Sequence, residues 1–280
     1  MGYLLLTSLL WAFSFGLIKG QLVGLDANFV ALVRLAISLV AFLPWLRLRG
    51  ISASLARRLL GIGAVQFGLM YVLYISAYKH LAAHEVALYT VLTPIYVVLF
   101  SKAGSRPRAL AGAALACLGA GVIQWKTQGD QGSWVGFALV QGANLCFALG
   151  QLAYKRIEPT LQGRAPHSFF GLLYLGACLL VGPVCAATTD WSTLTVSSEQ
   201  ARTLLYLGLL PSGLGFYLWN QGATRVSEGT LSVMNNVKVP LAVLVSLTVF
   251  GESAAPLPLV IGSALLVLAL WLARRTHSPV

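Results

Sequence analysis

The chain has 280 residues, of which 58% are hydrophobic and 10% charged, with a formal net charge of +11. A soluble domain carries about 25% charged residues, so this composition excludes an ordinary soluble enzyme, a secreted disulfide scaffold and a disordered chain, and leaves a polytopic membrane protein. The basic excess does not mark a nucleic-acid partner, because the Lys and Arg residues punctuate apolar runs as membrane-loop charges do.

Ten apolar runs predict ten transmembrane helices, over 3–18, 28–46, 59–78, 86–101, 108–125, 134–153, 167–187, 203–221, 230–250 and 256–273. Each approaches the roughly 20 residues a helix needs to cross a bilayer. The runs lack two-residue alternation, and in lipid a helix pairs its own backbone groups. The first run has no preceding basic residue and no small-x-small cleavage site, so it reads as a retained span and not a signal peptide. The second carries Arg34 in its first third, where a stem snorkelling to the interface is preferred over anion binding. The third places Tyr71, Tyr74 and Tyr78 on one helical stripe, and the fourth places Tyr89 and Tyr96 seven residues apart. Amides follow at Gln141 and Asn144 in the sixth run, and at Asn220 and Gln221 beside Tyr217 in the eighth. The ninth holds Asn235, Asn236 and Lys238 just before Pro240, whose missing N–H frees a carbonyl one turn earlier. Cys117, Cys146, Cys178 and Cys185 all fall in apolar runs and read as packing residues.

With the N-terminus inside, the inner segments collect Arg47, Arg49, Arg57, Arg58, Lys102, Arg106, Arg108, Lys155, Arg156, Arg164, Arg225, Arg274 and Arg275. The outer segments hold only Lys19, Lys79, Lys126 and Arg202. This bias predicts an inner-membrane protein with both termini cytoplasmic.

The two halves echo one another. Trp11–Gly16 aligns with Leu145–Gly150, Tyr74 and Glu85 with Tyr217 and Glu228, and Pro94 with Pro240. A duplicated five-helix unit is expected, with 1–126 as the first copy and 127–280 as the second. Because five is odd, the copies enter the membrane from opposite sides, and such folds place a substrate near the midplane between them.

Lys238 is the sharpest clue to chemistry. A cation at a helix centre costs roughly 2.5–3.5 kcal/mol on insertion scales, so it faces protein or water. Lys238 with Asn235 and Asn236 makes a candidate polar pocket for a substrate carboxylate. Tyr74, Tyr78, Tyr89, Tyr217 and Trp11 supply a candidate aromatic wall, and Asn144 and Asn220 supply buried amides. All eight acids, Asp26, Glu85, Asp130, Glu158, Asp190, Glu199, Glu228 and Glu252, fall in loops or at helix ends. A membrane-embedded acid for proton-coupled export of cations is missing, which favours anionic or zwitterionic cargo. No GxxxxGK[ST] loop supplies an ATP motor, Leu88 stands where an HExxH metal motif needs its second histidine, and no cofactor is expected.

On Leu10–Phe15, Arg34, the Ser76–Pro94 segment with its echo at Asn220–Pro240, and the closing Phe250-Gly251-Glu252, the chain resembles the drug/metabolite transporter superfamily in its ten-helix EamA-type branch. Within that branch it looks most like the YddG-type exporters of aromatic and neutral amino acids. The resemblance implies an all-α membrane fold of ten helices around a central cavity, a monomer in the lipid bilayer, and outward transport of small amino-acid-like molecules by alternating access. Other metabolites or drugs, sugars or lipids remain alternatives for the cargo. A membrane-embedded lipid-processing enzyme would need clustered acids or histidines, and a channel would need a filter sequence or charged rings; the chain offers neither.

Overall fold

Lipid leaves an apolar chain one economical solution, the helix, and the described residues of the computed structural model form ten of them. Residues 1–77, 79–81, 86, 89–101, 107–124, 133–161, 163–249 and 256–274 are described. The helices are α1 (Gly2–Gln21), α2 (Ala27–Phe42), α3 (Ala53–Ala77), α4 (Thr93–Leu99), α5 (Pro107–Gln124), α6 (Trp134–Ile157), α7 (His167–Thr188), α8 (residues 198–224), α9 (Glu228–Val249) and α10 (Pro256–Arg274). They form an all-α membrane protein of two inverted five-helix repeats around a central cavity. Tyr78, Glu85, Asp130 and the Phe250-Gly251-Glu252 motif lie outside the described residues.

Side-chain caps fix several helix starts. The Asp26 carboxylate accepts from the Phe29 N–H at 2.9 Å, and Ser52 caps α3 through the Leu55 N–H. Ser197 and Gln200 cap each other's backbone at the start of α8. These caps explain why α3 and α8 begin several residues before their apolar runs: the first turns are amphipathic and belong to the membrane edge.

The two helices share a second feature. Each is α-helical at both ends and π-helical in the middle, at Ala64–Leu69 in α3 and at Gly208–Leu214 in α8. A π turn leaves the regular i→i−4 ladder and frees backbone groups for other partners; such turns are frequent at functional sites. In α8 the stretch contains Pro211, which has no N–H to give.

The core runs along α7, where Phe169, Phe170, Leu173, Tyr174, Ala177 and Val181 are buried. Helices α3 and α7 touch backbone to backbone. A Cβ on Gly63 would overlap the Leu173 backbone, and one on Gly176 would overlap that of Leu60. Reciprocal glycines of this kind let membrane helices approach and gain dispersion contacts where lipid supplies no hydrophobic drive. The outer faces are apolar too: Leu257, Val260 and Val267 of α10 are each about two-thirds exposed, as residues facing hydrocarbon would be.

Candidate functional site

A cavity of about 120 Å³ opens among α1, α2, α3, α4, α6, α8 and α9. Its walls are Trp11, Ser14, Ile18, Arg34, Met70, Tyr71, Tyr74, Thr90, Thr93, Ala143, Asn144, Phe147, Phe216 and Lys238. These residues occupy the middle and second half of α1 and the first half of α6, so the cavity lies in the half of the protein away from the described chain ends.

Two cations reach it. Lys238 stands midway along α9, with its ammonium over the Trp11 ring at 5.8 Å from the centroid, its one electrostatic contact among the described residues. Arg34 is 7% exposed. Its Nε donates to the Ser212 hydroxyl at 3.1 Å, and its guanidinium carbon lies 5.0 Å from the Tyr71 ring centroid. The aromatic faces soften the desolvation of both charges, by roughly 0.5–2 kcal/mol each, without neutralising them. None of the described lining residues is acidic. Of the described acids, Asp26 caps α2 and accepts from Thr189, and Asp190, outside the spans, has its carboxyl held below the usual carboxylate range by the Ser192 hydroxyl and N–H. A buried positive charge with no counter-ion among the described residues is a standing demand for an anion.

The remaining walls are aromatic and amide. Trp11 is the hub, with Phe147, Phe216 and Trp219 rings 5.8, 5.7 and 4.9 Å away. On the α4 side, Asn144 donates to the Tyr89 carbonyl at 2.9 Å and its oxygen accepts from Thr93 at 3.1 Å; Gln141 donates to the same carbonyl. The cavity is thus a positively charged, ring-walled chamber edged with hydroxyls and one amide pair.

Of the residues singled out from sequence, Trp11, Tyr74, Asn144 and Lys238 meet at this cavity. The others lie around it. Asn235 and Asn220 are buried toward the terminal end: Asn235 accepts from Gln151, and Asn220 accepts from Gln66 at 3.2 Å. Asn236 donates to the carbonyls of Val91 and Ala116, and so ties α9 to the α4 and α5 side. Tyr89 contributes its carbonyl while its ring packs edge-on against Phe137. Tyr217 packs on Phe42 and Phe170, on the far side of α8 from the cavity. Tyr78 lies outside the described residues. Arg34 is the lining residue that sequence reasoning set aside: it does not snorkel to an interface but turns inward, held by a serine 178 positions away.

Toward the terminal end the cavity is floored by polar contacts. Trp219 donates to Gln151 at 2.9 Å and Gln221 to the Tyr154 hydroxyl at 2.8 Å. Below them Lys155 donates to the carbonyls of Ala223 and Val226, and Arg156 to that of Phe100.

A model of the EamA-like transporter family matches residues 1–125 and again 134–275. A biotin transporter of Salmonella typhimurium is 37% identical over 284 residues, spanning 100% of this chain and 94% of that protein. A probable terminal-alkyne amino-acid exporter of Streptantibioticus cattleyicolor is 27% identical, covering 98% of this chain and 93% of its own length. A solved crystal structure, 21% identical, superposes with a TM-score of 0.80 over 99% of this chain and 98% of that one, and shares the fold.

Proposed function

The chain belongs to the EamA-like transporter family and is a membrane transporter of small molecules, not an enzyme; we propose that its cargo is a small organic carboxylate with a neutral, partly apolar body, of the kind biotin represents. The observation that carries this reading is the pair Arg34 and Lys238 in a chamber whose described lining includes no acid. A monocarboxylate supplies the missing counter-charge. A guanidinium binds it through two parallel N–H groups, and an ammonium adds a point charge. The rings of Trp11, Tyr71, Phe147 and Phe216 suit an aliphatic or heterocyclic body. The amide of Asn144 suits the donors and acceptors of a ureido group. The relatives named as biotin transporters agree with this chemistry.

A neutral amino acid is the second reading, favoured by the aromatic wall and by the relative named as an amino-acid exporter. Its ammonium would meet only hydroxyls, ring faces and the Asn144 side chain beside two fixed cations, which makes it the weaker fit. Translocation by exchange of the two inverted repeats, a monomeric unit, division of the chain near residue 126 and both termini on the cytoplasmic side complete the proposal. The last of these rests on the bias of Lys and Arg.

Reconstitution in liposomes with radiolabelled biotin, phenylalanine and a neutral biotin amide tests the reading. Saturable uptake of biotin, weaker uptake of phenylalanine and little of the amide is the expected order. Equal uptake of biotin and its amide overturns the carboxylate assignment, and phenylalanine alone being carried overturns the biotin-like cargo in favour of the amino acid.

A further inference from the structure

The carbonyls of the π-helical stretch Gly208–Leu214 of α8 receive side chains from three other helices. Ser38 of α2 donates to the Gly208 carbonyl at 2.8 Å, and Trp11 of α1 to that of Pro211 at 2.9 Å. The Tyr174 hydroxyl of α7 reaches the carbonyls of Ser212 and Gly213 at 2.9 and 2.6 Å. These are carbonyls that a regular helix would have spent on its own N–H groups. Two of the side chains gathered at the stretch belong to the cation pair: Trp11 carries Lys238 on its face, and the Ser212 hydroxyl takes Arg34. We propose that this stretch is the positioning element of the binding site, with Ser212 as the residue that orients Arg34 toward a carboxylate and the Pro211 carbonyl as the anchor that fixes Trp11 beneath Lys238.

The geometry of Arg34 argues for orientation over mere burial. A guanidinium has five N–H groups in a rigid fork. Ser212 engages the Nε–H, the one nearest the stem, and the guanidinium carbon lies over the Tyr71 ring. Both terminal nitrogens then remain without a protein partner among the described residues while the residue lines the cavity. That end of the fork matches a carboxylate bidentately. A hydroxyl also leaves the full positive charge in place, which a carboxylate partner would not. The Ser212 hydroxyl sits 3.2 Å from the Tyr71 hydroxyl as well, so the same small side chain registers the ring on which the fork rests. Because the stretch sits at the centre of α8, a movement of that helix between access states carries both cation supports with it.

The inference rests on the carboxylate reading, and the experiment separates the two. Ser212→Ala and Ser212→Thr are made in the full-length protein, alone and with Arg34→Gln, and biotin uptake is measured in liposomes. Ser212→Ala raises KM about tenfold with Vmax changed less than about twofold, as loss of one charge-assisted contact predicts. Ser212→Thr, which keeps the hydroxyl, restores KM. In the Arg34→Gln background Ser212→Ala adds nothing further. An unchanged KM for Ser212→Ala, or an equal loss in the Arg34→Gln background, overturns the positioning role. If the wild type carries no biotin, the reading of a biotin-like cargo fails, and phenylglyoxal labelling decides the positioning role by itself. That reagent condenses with the two terminal nitrogens of an arginine, so Arg34 should be modified several-fold faster in the wild type than in Ser212→Ala, read by peptide mass spectrometry. Equal labelling rates overturn it.

Discussion

A lysine in mid-helix and an arginine two turns into its span are the residues on which everything else turns, and they were not equally visible. Lys238 stands out in sequence because nothing around it in a long apolar run offers a charge, and its isolation survives in three dimensions: among the described residues the Trp11 ring makes its one electrostatic contact. Its burden should appear in stability. Lys238→Met removes an uncompensated cation of similar length, so the thermal unfolding temperature in detergent should stay level or rise while biotin uptake falls; a clear drop in unfolding temperature would mean that the ammonium has a structural partner. Arg34→Gln should weaken biotin binding by about 10- to 100-fold, since it removes a bidentate charged contact of roughly 1.5–3 kcal/mol. Trp11→Phe keeps an aromatic ring, though a smaller one, but loses the N–H to Pro211, and should lower affinity by a few-fold only. Arg34 was unreadable as a site residue because a position in the first third of a span fits snorkelling equally well. Its inward turn depends on a contact with Ser212 that no local pattern encodes. Tyr74 and Tyr217 match across the repeat in sequence, yet one lines the cavity and the other fills a gap between Phe42 and Phe170. Internal symmetry constrains backbones more tightly than it constrains which side chain meets the chamber.

The helices themselves were the most legible feature, since membrane thickness dictates their length and hydrocarbon dictates their composition. Irregularity within them was less so. Pro211, Gly213 and Gly215 announce a place where α8 can bend, but not that it winds as a π-helix, nor that α3 does the same at Ala64–Leu69 without any proline. The glycines that matter for packing were hidden too, because a small residue among many gives no hint of what approaches it. Gly176→Ala should destabilise the protein by about 1–3 kcal/mol, as overpacking does, because its Cβ has no room against the Leu60 backbone. Gly61→Ala, two residues before Gly63 but facing open space, should be neutral or slightly stabilising through helix propensity. Chemical or thermal unfolding of the two variants side by side checks the contrast, and equal stabilities would contradict the close contact of α3 with α7.

For the molecule as a whole, the cavity occupies one half and a polar floor closes the other. The floor ends in cations that clasp backbone carbonyls: Lys155 holds the turn after α8, Arg156 the end of α4, and Arg164 the carbonyls of Arg49 and Gly50 between α2 and α3. Cations at the carbonyl-rich ends of helices are favourable. Bonds of this kind can also be exchanged without leaving a bare acid behind, which suits an end that opens and closes. Lys155→Met should therefore loosen that end first, seen as faster amide hydrogen exchange over residues 222–228 with little change along α7; uniform exchange across the protein would argue against a local clasp. The central claim is that the chamber selects its cargo by an unneutralised positive charge. Its most direct test is equilibrium binding of biotin and of its neutral primary amide to the purified protein, alongside the double variant Arg34→Gln, Lys238→Gln. The wild type should prefer the carboxylate by about tenfold or more and the double variant should bind both alike; equal affinity of the wild type for the two ligands would contradict the account.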